Sequence, residues 1–283
     1  MFIESIEIAS TAVSSIELWD RLAPTFAKFY RLIRAGKLRI VVFGAGGTGK
    51  TTLGKLLSGD SDPLSLLSTY QESIGVEALP LSANRFGQVI IAPGQERRQE
   101  NTWPDLLREV STGTCQMIIH VVAYGYHSFE EFKYSEHRLF REGMTSDDFI
   151  AGYAHEQRER ELNVLKELVP HLSIRSSRHT IFITLVTKQD LWWNSRLSVK
   201  NFYTRGSYED QIQMLRNRIG AANLRHECLS VSLVMENFLS GSGELLAPVT
   251  QGYDERLKLA NLRYFLSTIE ALLNVSLDAN DGQ

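Results

Sequence analysis

Five short apolar runs punctuate the chain: LRIVVFG (38–44), FGQVIIA (86–92), CQMIIHVVAY (115–124), TIFITLV (180–186) and CLSVSLV (228–234). Each has the length of a strand, and several are continuous rather than alternating. A strand apolar on both faces is one buried on both faces, as in a parallel sheet covered by helices. Between the runs lie segments whose apolar positions recur three and four apart, at 157–172 and in DERLKLANLRYFLSTIEALL (254–273). These read as amphipathic helices. Strand and helix alternate, so the pattern predicts an α/β fold: a doubly wound, mostly parallel sheet flanked by helices.

Two segments look added to that core. In residues 1–37, Trp19, Leu22, Phe26, Phe29 and Ile33 mark an amphipathic helix, kinked near Pro24. Between the third and fourth apolar runs, at about 125–175, lies HSFEEFKYSEHRLFREGMTSDDF, polar and aromatic-studded, which reads as a helical insert. The division expected is an N-terminal extension (1–37), a main domain (38–275) and a flexible tail (276–283).

Composition narrows the function classes. A formal net charge of -3 provides no global basic field to draw the protein to nucleic acid. Cys115 and Cys228 lack metal or redox spacing and sit in apolar runs, which suits buried thiols. Glu4 and Glu7 stand where a signal peptide needs positive charge, and no apolar run approaches the roughly 20 residues of a membrane span. A cytoplasmic protein is expected. Lys28, Arg31, Arg34, Lys37 and Arg39 form a basic run that could touch an anionic membrane surface. A helix packed on the core with solvated basic residues is the preferred reading.

The strongest chemical signal is VVFGAGGTGKTTL. Gly44-x-x-x-x-Gly49-Lys50-Thr51 is a complete Walker A motif, with a strand pattern before it and a helix pattern, TTLGKLLSG, after it. The glycines Gly44, Gly46, Gly47 and Gly49 let the backbone curl, so that N–H groups around Thr48 point at phosphate oxygens. The helix starting near Lys50 aims its positive dipole end at the same anion. Lys50 bridges the β- and γ-phosphates, the Thr51 hydroxyl ligates Mg²⁺, and Thr52 follows in the same turn. The chain reads as a P-loop NTPase.

Three weaker strings lie after it in the chain. LVTKQDLWW offers Thr187-Lys188-Gln189-Asp190 after a strand. SIGVEALPL begins at Ser73, and VIIAPGQERR contains Gly94-Gln95 after a strand. Together with the phosphate loop they resemble the Ras- and Arf-like small GTPases, over roughly 38–125 and 175–235. That resemblance implies binding of GTP or GDP with Mg²⁺. It implies that Asp190 accepts from the guanine N1–H and amino group, and that the Lys188 stem lies over the purine. Thr187 stands where Asn is commoner. Ser232 and Leu233 fall in the loop beside the base, in a looser match that a buried strand explains equally well. Ser73 becomes a second hydroxyl ligand of Mg²⁺, Gly94 a donor to the γ-phosphate, and Gln95 the group that orients the attacking water. Spacing from Ser73 to Ile91 suits the short β-hairpin of the Arf-like group. The departure is Ile91, where the family carries the aspartate that anchors Mg²⁺ through water.

The resemblance therefore implies a molecular switch with GTP hydrolysis that is slow or partner-stimulated, and a protein effector or regulator. Ile91 keeps a second reading open, a pseudo-GTPase scaffold that holds nucleotide without turnover. A P-loop ATPase is the third, opposed by the lack of a Walker B acid at a strand end. Arg97 and Arg98 read as solvated charges opening a helix, with a cis arginine finger as the alternative. Trp192 and Trp193 suit the core or an interface. The seven histidines show no metal spacing.

Overall fold

The computed structural model describes residues 39–58, 77–80, 88–91, 117–171 and 180–281. The N-terminal extension and Cys115 lie outside the described residues. β1 (Arg39–Phe43), β2 (Glu77–Pro80), β3 (Gln88–Ile91), β4 (Met117–Val122), β5 (Thr180–Val186) and β6 (Leu224–Ser230) form a six-stranded sheet in the order β2-β3-β1-β4-β5-β6. β3, β1, β4, β5 and β6 run parallel, and β2 pairs antiparallel with β3. The antiparallel pairing of β2 with β3 agrees with the β-hairpin that the resemblance implies there.

The continuous apolar runs are explained by two cores. Ile40, Val42, Met117, Ile119, Val121, Ile181, Ile183 and Leu185 face α1 (Lys50–Ser58) and α6 (Glu255–Asp281). Their neighbours Val41, Phe43, Ile118, Val122, Phe182 and Val186 face α2 (Ser146–Leu168), α4 (Arg196–Thr204) and α5 (Gly206–Ile219). Period-2 alternation sends successive residues to opposite faces, so a doubly covered strand must be apolar throughout. Burying each such side chain contributes about 1.5–3 kcal/mol.

Of the segment 125–175 read as added, Ser146–Leu168 is the crossover helix that the parallel pair β4 and β5 requires. Thr145 caps it: its hydroxyl accepts from the Asp148 N–H, and Asp147 and Asp148 sit at the positive end of the helix dipole. The stretch without a sheet partner is the loop before it. β6 also begins earlier than expected. It pairs on the described sheet only with β5 and carries exposed Arg225, so its first half lacks an apolar signature. Val231–Val234 of the predicted strand leave the sheet as a loop. α6 runs on to Asp281, through residues expected to fray. No helix among the described residues is long and apolar enough to cross a membrane.

A small third core joins the loop after β4, the start of α2, and the hairpin β7 (Phe238–Leu239) and β8 (Leu245–Ala247). It is built on Phe129, Phe149, Tyr153, Leu191, Phe238 and Leu246.

One polar chain crosses the second core. The His120 ring stacks between Phe43 (4.5 Å) and Tyr208 (5.9 Å), with Nδ1 2.8 Å from the Tyr208 hydroxyl. Thr184 Oγ1 continues the chain, 3.1 Å from Tyr208 Oη and 3.0 Å from His226 Nε2. Burial pushes His120 down to about 3 and His226 down to about 4. A folded-state pKa below the unfolded value of 6.5 means the unfolded chain takes the proton first as the pH falls. This stability is complete above about pH 6.5 and is lost progressively below it, towards the two folded values. The melting temperature is therefore expected to fall between pH 7 and pH 4. His120→Phe, which keeps the ring stack, should show a shallower fall in thermal melts across that range. An unchanged slope would place the acid sensitivity elsewhere.

Candidate nucleotide site

The phosphate loop is the turn from the end of β1 into α1. Gly44, Gly47 and Gly49 hold φ values of +148°, +72° and +93°, which wind the backbone into a cup. Gly47 has a second reason to be glycine: a Cβ there would lie 2.5 Å from the Ser128 backbone nitrogen. Inside the turn, Lys50 Nζ donates to the Ala45 carbonyl at 2.7 Å, and Thr48 Oγ1 donates to the same oxygen at 3.0 Å. Lys50 is buried, and burial, then the charge of Arg160, pull its pKa down to about 7. A buried ammonium bonded to a neutral carbonyl lacks the negative charge that would offset its desolvation. An anion seated in the cup supplies that charge, so these residues fit a phosphate. Thr51 and Thr52 lie half-buried in the first turn of α1 beside Lys50, which suits Thr51 as a metal ligand. Among the described residues, no group of three or more His, Cys, Asp or Glu could hold a metal on its own.

The end of β5 meets this loop directly. Thr187 Oγ1 lies 2.7 Å from the Thr48 carbonyl and 3.0 Å from the Val122 carbonyl, its one proton shared between them. The Thr187 carbonyl accepts from Trp192 Nε1 at 2.7 Å. Threonine lacks the amide of the commoner asparagine, and here its hydroxyl reaches the phosphate loop. Lys188 sits in the left-handed region (φ 53°, ψ 38°), a conformation that costs a non-glycine residue energy and turns its side chain back across the loop. Its ammonium lies 3.5 Å from Ser128 Oγ and 5.8 Å from the Phe238 ring centre. Burial draws it down to about 8.

Asp190, in α3 (Gln189–Trp192), is only 1% exposed. Ser232 Oγ donates to Oδ1 at 2.6 Å and the Glu236 N–H donates to Oδ2 at 3.2 Å. Burial raises its pKa, and the Ser232 hydrogen bond opposes the rise. Gln189 anchors the turn: its Oε1 accepts from Asn261 Nδ2 (2.8 Å) and Tyr253 Oη (3.1 Å), and its Nε2 donates to Ser230 Oγ (3.0 Å). Leu233 packs against the first core and approaches Gly49.

Thus Gly44, Gly46, Gly47, Thr48, Gly49, Lys50, Thr51, Thr52, Thr187, Lys188, Asp190, Ser232 and Leu233 converge at the C-terminal ends of β1, β5 and β6. Ser73, Gly94, Gln95, Arg97 and Arg98 lie outside the described residues. Ile91 ends β3, paired with Val42 of β1 and Glu77 of β2. Trp192 belongs to the second core, whereas Trp193 packs on Tyr253 under Arg196. Cys228 is a buried free thiol pushed well above its usual pKa by burial.

Sequence reasoning missed the loop after β4. The Ser128 N–H donates to the Gly47 carbonyl at 3.1 Å, so this loop walls the phosphate loop. A cavity of about 530 Å³ opens between Gly46, this loop and α2. The available signal is Glu161, a charge lying on the buried stripe of α2 with Tyr153, Gln157, Leu165 and Leu168.

No family model matches the sequence, and no curated protein matches it. Among solved structures, the chain is similar to the Arf-like small COPII coat GTPase Sar1 of Encephalitozoon cuniculi in complex with GDP (12% identity, 94% of each chain covered, TM-score 0.42). It is similar to the mammalian SRP receptor (15% identity, 82% of this chain and 99% of that one, TM-score 0.38). A third likeness is to the signal recognition particle receptor SRb-GTP/SRX complex of Chaetomium thermophilum (12% identity, 80% and 97%, TM-score 0.42). Likenesses this distant carry no argument about activity. The chain's own geometry is the firmer ground: a complete phosphate loop after the central strand, an antiparallel β2 beside β3, and Asp190 meeting Ser232 beyond β5 and β6. The fold is a doubly wound α/β domain with a phosphate loop between β1 and α1.

Thr187 provides a direct check of how the two loops are joined. Thr187→Val keeps the shape but leaves the buried Thr48 carbonyl without its hydroxyl donor, and should cost about 1–3 kcal/mol in denaturant unfolding. Thr187→Ser keeps the donor and should stay within about 1 kcal/mol of the wild type. Equal losses in both variants would show that the methyl packing matters rather than the hydrogen bond.

Proposed function

We propose that the chain is a guanine-nucleotide-binding switch that hydrolyses GTP. The observation that supports this best is the pairing of a complete phosphate loop with the buried carboxylate of Asp190, joined by Thr187. Each Asp190 oxygen accepts one donor from the protein, which leaves lone-pair capacity on both for the guanine N1–H and amino group. Adenine offers no such pair of donors, and a buried carboxylate left unmatched strongly disfavours it. That argues against an ATPase.

In this reading Lys50 and the loop N–H groups hold the β- and γ-phosphates. Thr51 and Ser73 hold Mg²⁺, whose charge neutralises the phosphate oxygens when bound. Gly94 senses the γ-phosphate and Gln95 orients water, as the family resemblance implies. A protein effector or regulator distinguishes the two nucleotide states.

The test of the base reader is nucleotide choice by calorimetry. The wild type should bind GTP at least about 100-fold more tightly than ATP. Asp190→Asn should move the preference from guanine towards xanthine. Equal affinity for GTP and ATP in the wild type, or no gain for xanthine nucleotide in the variant, would remove Asp190 from that role.

Ile91 supports the slower end of this activity, and with it the scaffold alternative. It ends β3 beside the phosphate-loop strand, where the family places an aspartate that anchors Mg²⁺. Mg²⁺ demands near-ideal octahedral geometry, so a missing outer anchor loosens both metal and nucleotide. Ile91→Asp, with folding verified by thermal melt, should slow GDP release about 10- to 100-fold and lower the Mg²⁺ requirement. Unaltered release and metal dependence would mean that another group already fills that role.

A further inference from the structure

We propose that Glu161 is a positioning residue that fixes the outer wall of the phosphate loop. Its carboxylate is fully buried, on the face of α2 turned to the sheet. Oε1 accepts from the Ala123 N–H at 2.7 Å, the Gly125 N–H at 3.2 Å and His127 Nε2 at 2.8 Å. Oε2 accepts from the Tyr203 hydroxyl at 2.6 Å, and that hydroxyl in turn accepts from the Tyr124 N–H at 3.0 Å. One side chain thus gathers, directly or through Tyr203, a donor from four of the five residues 123–127 as the chain leaves β4. Burying an ionised carboxylate is costly, and here four charge-assisted hydrogen bonds offset the cost.

The consequence falls on the next residue. Ser128 donates its N–H to the Gly47 carbonyl, and its hydroxyl lies 3.5 Å from the Lys188 ammonium. It therefore touches the phosphate loop and the base-reading loop together. The peptide at Ser128 also fills the space where a Cβ on Gly47 would sit. A loop that drifted outward would release the Gly47 carbonyl and leave Lys188 without that contact. Glu161 touches neither loop; it acts on both through residues 123–128.

The functional consequence, slower loss of nucleotide, rests on the proposed guanine-nucleotide reading, whereas the positioning itself does not. Two readouts on the full chain separate them. Hydrogen exchange, without added nucleotide, is measured on peptides covering 44–50 and 123–128 in wild type and Glu161→Gln. Dissociation of a fluorescent GDP is then followed by stopped flow. Leu224→Ala, a cavity in the second core at the N-terminal end of β6, opposite the strand ends that carry these loops, is the control for lost stability. Glu161→Gln should speed exchange in both peptides and GDP release by about 10-fold, since neutral hydrogen bonds are roughly half as strong as charge-assisted ones. Leu224→Ala should lower the melting temperature without either change. Should Glu161→Gln fail to fold, Glu161→Asp, charged but one methylene shorter, should show the same local exchange to a lesser degree. Exchange at 44–50 that is unchanged, or that only follows the loss of melting temperature as in Leu224→Ala, overturns the proposal. Faster local exchange in a protein that holds no guanine nucleotide would uphold the positioning role and overturn the nucleotide reading instead.

Discussion

A buried lysine inside a tight turn is the constraint on which the rest of this structure depends. Lys50 is held where water cannot offset its charge, and its hydrogen bond goes to the Ala45 carbonyl of its own loop. Such a group is fully charged at neutral pH only with an anion nearby, since burial lowers its pKa to about 7. The turn must also stay curled while it waits for that anion. Neighbours therefore close it on two sides: Thr187 grips the Thr48 carbonyl, and Ser128 grips the Gly47 carbonyl.

Both grips descend from the parallel sheet. β4 and β5 flank one another in register from Met117↔Ile181 to Val122↔Val186, so the residues after them emerge side by side at the same edge as the phosphate loop. The register sets Thr187 against Val122, where its N–H donates to the Val122 carbonyl at 2.7 Å. Because each strand is covered on both faces, a slip would send side chains fitted to one core into the other, and it is close packing that resists it. Packing energy far from the loop is thus what fixes the loop's partners in place.

The parts legible in the sequence were those with a period or a spacing. Continuous apolar runs announced β1, β4 and β5, and the Gly-rich motif with its Lys50-Thr51 announced the cup. Asp190 and Ser232 are 42 residues apart yet were placed at one site, and they meet at 2.6 Å. Glu161 was illegible because a single acidic residue on an apolar stripe gives no hint of which backbone donors it collects. Ser128 was illegible because its contact to Gly47 is made by the main chain, which every residue possesses. The start of β6 was missed because an edge strand tolerates Arg225 and His226 where a central one would not. The third core was missed because its aromatics come from three separated segments, each contributing only one or a few side chains.

That third core gives the site a physical unity that its motifs alone do not. Phe129 and Tyr126 come from the wall of the phosphate loop, Leu191 from the turn that carries Asp190, and Phe238 and Leu246 from the β7–β8 hairpin. Tyr126 meets Phe238 edge to face at 5.9 Å, and Phe129 meets Tyr153 of α2 at 5.5 Å. Each such aromatic pair adds about 0.5–1.5 kcal/mol beyond its buried area, so the segments are held as one body. The Glu236 N–H that reaches Asp190 lies just before Phe238, so the packing of the hairpin also sets a donor on the Asp190 carboxylate. Contacts at the phosphate end and at Asp190 therefore share one set of side chains. A displacement of the loop after β4 cannot loosen Gly47 without also disturbing Phe238 and, through it, the surroundings of Asp190.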